Sequence, residues 1–132
     1  MHINLESDYA VRLVRTLAQK GGRMDAASLA EASRVSLRFT LKIMQKLGAA
    51  GIIRSYKGAH GGYTLERAPE QTTLREVIEA VEGQYRFSRC LNGDYDCTCH
   101  GEGELCPFQS VFDEITRMVT DKLNATTFDQ LL

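Results

Sequence analysis

Behind Ser7 or Asp8, either of which can cap a helix, Tyr9, Ala10, Leu13, Val14, Leu17 and Ala18 recur at helical spacing until Gly21-Gly22 stops the run. Arg23-Met24 reads as a short extended link, and Asp25 as the cap of a brief helix, Ala26 to Ala32, with Leu29 inward. Ser36 caps a third helix. There Leu37, Leu41, Met44 and Leu47 are set inward, while Arg38, Lys42 and Gln45 share the outer face. Gly51 ends it, Ile52-Ile53-Arg54-Ser55-Tyr56 alternates as a strand, Lys57 to Gly62 makes a tip, and Tyr63-Thr64-Leu65 returns. After Pro69, Thr73-Leu74-Arg75-Glu76 has the form of a capping box. It opens a helix with Leu74, Val77, Ile78 and Val81 on one face and Gly83 at its close. Pro107 then stands at the first position of a long helix whose stripe is Phe108, Val111, Phe112, Ile115, Met118, Val119 and Leu123, and Thr127 to Leu132 can add a further turn.

This order of elements predicts a mainly α fold: a winged helix-turn-helix with a β-hairpin wing, followed by a long C-terminal helix. The expected division is a head over residues 1–83, a cysteine-rich segment over 84–106, and a helix with tail over 107–132. The long apolar stripe calls for a second surface, either another copy of the chain or the protein's own head.

Charge sharpens the picture of the head. The net charge is −1, but residues 34–67 hold seven basic residues against Glu66 alone, a local balance of +6. From residue 68 onward the balance is −7. Positive charge concentrated around a recognition-helix candidate and a glycine-rich wing reads as the footprint of a polyanion partner, here double-stranded DNA, the alternative for the charge alone being an ordinary solvated surface. The candidate contacts are Ser36, Arg38, Phe39, Lys42, Gln45 and Lys46 on the helix, and Ser55, Lys57, Gly58, His60, Gly61 and Gly62 on the wing. Arg38 has the reach to read guanine bidentately, and the wing is expected on backbone or minor groove. A plain hairpin turn is the alternative role of the glycines.

The four cysteines, Cys90, Cys97, Cys99 and Cys106, all fall within one stretch of Gly, Asp, Glu and Asn that has little apolar surface to bury. Such a segment folds back on itself when a metal, a cluster or disulfides hold its thiols. The N-terminus shows no basic stretch leading into an apolar one, and no run is long enough to cross a bilayer, so a cytoplasmic setting without a membrane partner is expected. In that reducing compartment, clustered thiols read as metal, cluster or redox chemistry. No Cys-x-x-Cys, Ser/His/Asp or paired-carboxylate constellation is present, so neither an enzyme nor a small-molecule substrate is expected. Zinc, or a thiol/disulfide couple, is the alternative chemistry for four cysteines and His100.

Taken together, Ser7 to Arg12, Val35-Ser36-Leu37, Leu47 to Ser55, Lys57 to Leu65, Pro69, and Cys90 to Cys106 before a long helix resemble the Rrf-type winged-helix transcription regulators, the IscR- and NsrR-like proteins. The resemblance covers essentially the whole chain. It implies a homodimer on a palindromic operator, acting as a repressor, with an iron-sulfur cluster ([2Fe-2S] or [4Fe-4S]) that senses nitric oxide, redox state or iron supply. Cys90 and Cys106 match the outer ligands of the family's three. For the middle ligand the spacing leaves Cys97 and Cys99 open, because each has six residues between it and one outer cysteine and eight between it and the other. The resemblance to the NsrR-like branch further implies Asp8 of the partner subunit as a ligand, its alternative being a helix cap. His100 precedes Cys106 where an IscR-like histidine would follow it, and stands as an additional ligand candidate.

Overall fold

A computed structural model describes residues 2–92, 97–99 and 106–132. The head is built on α1 (Leu5–Lys20), α2 (Ala26–Ser33) and α3 (Leu37–Ala49), followed by the antiparallel wing strands β1 (Ile53–Tyr56) and β2 (Gly62–Leu65), and α4 (Leu74–Glu82). A long α5 (Pro107–Ala125) and a closing 3-10 turn (Phe128–Leu131) complete the chain. This is the expected mainly helical winged fold.

Local chemistry accounts for most boundaries. Gly21 closes α1 in the left-handed region (φ 71°), Asp25 caps α2 by accepting the Ser28 N-H, and Ser36 caps α3 by accepting that of Phe39. The Thr73/Glu76 capping box forms in full at α4. Pro107 occupies the first turn of α5, where its missing N-H leaves no bond unmade.

Three expectations need correction. The cap of α1 is neither Ser7 nor Asp8 but Asn4, whose side chain accepts the Ser7 N-H at 2.8 Å. The helix therefore starts earlier: Ser7 is buried and donates to Glu82 at the end of α4, while Asp8 pairs with Arg12 one turn on, at 2.6 Å. The inward face of α3 is Thr40, Ile43, Met44 and Leu47, leaving Leu37 and Leu41 each 48% exposed. Finally, Ile52 and Ile53 are both buried while Arg54 and Ser55 are both exposed, so burial along this segment does not alternate.

The core is a single cluster in which Leu13, Val14 and Leu17 of α1 meet Leu29, Ile43, Leu47, Ile53 and Val77. Its largest side chain comes from the other end of the chain. Phe128, placed with the C-terminal helix by the sequence, is 0% exposed inside the head. The tail is held there by backbone bonds from Leu74 N-H to the Thr126 carbonyl and from Phe128 N-H to that of Thr72. By contrast, none of the nineteen residues of α5 is buried. Of its apolar stripe, Phe108, Val111 and Met118 are exposed, while Phe112, Ile115, Val119 and Leu123 are half-buried.

Candidate functional site

Two groups of chemistry-bearing residues are placed by this fold, one on α3 and the wing, the other at the start of α5.

On α3, Arg38, Lys42 and Gln45 are exposed, with Lys46 partly so. Arg38 and Gln45 have no hydrogen-bond or ion-pair partner among the described residues. Lys42 and Lys46 instead converge on Glu6 of α1, at 3.8 and 2.8 Å, which offsets part of their charge. Phe39 rests edge-on against Tyr9 with ring centroids 5.6 Å apart, and the Ser36 hydroxyl is occupied by its cap. Gln45 and Ser55 are brought together with Leu41 and Arg54 along an open groove of 550 Å³ between α3 and the wing.

The wing is braced from below. Met24 and Tyr63 exchange backbone hydrogen bonds of 3.0 and 2.8 Å, so the second strand rides on the link between α1 and α2. That approach dictates the glycines. A Cβ on Gly62 (φ 141°) would stand 2.3 Å from the Met24 carbonyl oxygen, and one on Gly61 would stand 2.8 Å from that of Tyr56. Gly61 and Gly62 are thus required by the protein's own backbone, whatever the wing touches. Gly58 (φ 92°) is different, since space around it is open and Lys57 and His60 beside it are exposed.

Arg23, which the sequence reading treated only as part of a link, lies 3.7 Å from the centroid of the Tyr56 ring and donates to the His60 carbonyl at 2.6 Å. One side chain therefore ties the strand to its tip. The available signal was a lone arginine at the start of the link, with nothing in its spacing to show what it meets.

At the second group, Cys90 lies in a short 3-10 turn capped by Ser88, and its carbonyl is reached by Gln109 on the first turn of α5. Phe87 fastens the same segment to α5 through its N-H to the Thr116 hydroxyl (3.0 Å) and its ring against Phe112 (5.1 Å). Cys106 is the residue from which α5 starts. The Cys97 sulfur accepts the Cys99 N-H at 3.4 Å. The Cys99 thiol is held above its ordinary pKa by local desolvation, and then by Cys106, Cys97 and Cys90. Cys90, Cys97 and Cys106 thus each bear on the Cys99 thiol, and all four cysteines are free thiols.

A donor set of crowded thiols fits a thiophilic metal or an iron-sulfur cluster, because the charge they repel in one another when ionised is the charge such a group neutralises. Still, no three metal-ligating side chains among the described residues stand ready as a finished site. Asp8 is engaged with Arg12 of its own helix, and His100 lies outside the described residues. No helix among the described residues is long and apolar enough to cross a membrane.

Comparison with known proteins agrees with this architecture over its whole length. Protein aau3 of Rhizobium meliloti (strain 1021) is 31% identical over all of this chain and 85% of its own. The HTH-type transcriptional regulator NsrR of Bacillus licheniformis is 24% identical over all of this chain and 92% of its own. The structure of CymR (YrzC), titled the global cysteine regulator of B. subtilis, superposes with a TM-score of 0.79 at 24% identity, covering 99% of this chain and 95% of that one. The profile of the Rrf2 family, described as an iron-dependent transcriptional regulator, matches residues 3–132, and the chain belongs to that family.

Proposed function

We propose that this regulator is a cytoplasmic homodimer that represses transcription by binding a palindromic operator in double-stranded DNA, with its grip set by an iron-sulfur cluster, [2Fe-2S] or [4Fe-4S], that senses nitric oxide, redox state or iron supply. The observation that carries the reading is that all four cysteines fall in the one stretch from Cys90 to Cys106 that leads into α5, a helix whose Phe108, Val111 and Met118 are exposed. Cys90, Cys106 and one of Cys97 and Cys99 are the ligands, with Asp8 of the partner subunit and His100 as further ones. When bound, the cluster supplies a centre reactive toward electrons and nitric oxide.

The chain's own residues do the rest. Cys106 anchors the first turn of α5, and Phe87 and Gln109 hold the Cys90 segment against the same helix, so fixing the thiols fixes where α5 starts. Phe108, Val111 and Met118 meet their copies in the second subunit. The two α3 helices then address half-sites about 34 Å apart. Arg38 reads guanine, Lys42 and Lys46 contribute the charge that Glu6 leaves them, and Lys57, His60 and the open Gly58 reach the sugar-phosphate backbone.

The test is anaerobic purification with iron, sulfide and visible-absorbance measurements, followed by operator binding with and without the chromophore. Cys90→Ser and Cys106→Ser are expected to lose colour and operator preference together, and Cys97→Ser set against Cys99→Ser identifies the middle ligand. A colourless, iron-free protein that pairs and selects the same duplex as well as the coloured one overturns the reading.

A second reading is a zinc or thiol/disulfide regulator on the same fold. It is favoured by a stretch holding four cysteines and His100, a donor set that also suits tetrahedral zinc, and by the structural likeness to a protein titled a cysteine regulator. Zinc in place of iron and sulfide in the purified protein, or operator release on thiol oxidation alone, selects it.

A further inference from the structure

Two leucines on α3 stand outside the core. Leu37 and Leu41 are each 48% exposed, although Thr40, Ile43, Met44 and Leu47 of the same helix fill the interior. Four residues apart, they lie one above the other and form a single apolar strip. Gln45, a further turn along, continues the line, and Leu41 walls the groove that α3 shares with Arg54 and Ser55 of the wing. Phe39 is no part of it, since its ring already has Tyr9.

Isolated exposed leucines are ordinary. Two on successive turns, in the N-terminal half of a recognition helix and beside an unpartnered Arg38, require an occupant. Charge decides which. Residues 34–67 carry +6, which repels a second copy of the same surface and draws a polyanion. In the major groove of duplex DNA the apolar group on offer is the 5-methyl of thymine. A leucine neither donates nor accepts, so it favours that methyl and leaves the polar edge of any other base unpaired.

Resting on the DNA reading above, we propose that Leu37 and Leu41 are specificity residues that read thymine methyls close to the guanine addressed by Arg38.

Full-length protein, purified anaerobically, is used to select duplexes from a random-sequence pool, and the winners are remade with deoxyuridine for thymine one position at a time, removing one methyl and nothing else. Wild-type protein is expected to bind about fourfold more weakly at one or two positions per half-site, the ~0.8 kcal/mol of a buried methyl at about 1.4 kcal/mol per tenfold. Leu41→Ala or Leu37→Ala should abolish the difference between thymine and deoxyuridine at those positions, and Leu41→Met, which keeps the apolar reach, should preserve it. Melting temperatures show that each variant is folded.

The proposal is overturned if every thymine tolerates the exchange, or if the alanine variants keep the same sensitivity at the same positions. It also falls if the leucines instead change the oligomeric state in sedimentation, which makes the strip a protein contact. If a preferred sequence emerges and only the methyl effect is missing, this inference alone fails. If no sequence is preferred, the reading as a sequence-specific regulator fails, and this inference with it.

Discussion

The head and the region that follows it obey different rules. In the head, α1 is sheathed by α2, α3 and α4, and even the distant Phe128 is drawn into the same cluster. From Gln84 to Ala125 there is no fully buried hydrophobic side chain among the described residues. The first region is ordered by the apolar surface it removes from water; the second, under the reading proposed above, is completed by what it meets outside the single chain. Regulation is well served by such a division, because the part that depends on its surroundings is the part that can report on them.

The largest effect expected from breaking this contrast is at Phe128. Phe128→Ala empties the head's core and should cost about 3–5 kcal/mol in urea unfolding. Met118→Ala, at a side chain 64% exposed, should leave head stability nearly unchanged. Next, Val111→Glu with Met118→Glu places unpaired charge on the stripe of α5. The dimer dissociation constant in sedimentation should rise roughly 100-fold or more, while the circular dichroism of the head persists. A smaller effect is expected at Arg23. Its replacement by alanine frees the wing tip and should weaken duplex binding about three- to tenfold with little change in melting temperature.

The smallest concerns pH. Burial pushes the Glu76 carboxyl up, but the Arg67 guanidinium and the Thr73 N-H outweigh it, and the group is held below the ordinary carboxylate range. A lowered folded-state pKa stabilises the fold at pH above the unfolded carboxylate value, about 4.3, and the contribution disappears as pH falls through the folded value. Wild type should therefore melt slightly higher than Glu76→Gln at pH 7, with the gap closing toward pH 3.

How much of this was legible in the sequence depended on how local the determining physics is. Caps and breakers act within a turn or two, so Asp25, Ser36, the Thr73/Glu76 box and Pro107 were readable as they stand. The phase of α3 was not, because apolarity favoured Leu37 and Leu41 over Thr40, and only the packing of α3 against α1 and α2 shows that a threonine is buried and two leucines are left out. Phe128 was equally hidden, since nothing near it in sequence shows that the chain returns to Thr72. At the candidate site, the thiols declared themselves through clustering alone. The demands on Gly61 and Gly62 arise from Tyr56 and Met24, which lie several to many residues away.

The stitching of the tail to Thr72 and Leu74 pins the C-terminal end of α5 to the entrance of α4, while Gln109 and Thr116 tie its N-terminal half to the Cys90 segment. A rod free at its far end would absorb a nudge by fraying. A pinned one can pass it on, so under the proposed reading a shift at Cys106 would reach the entrance of α4, whose far end holds Asn4 and Ser7 of α1 through Glu82.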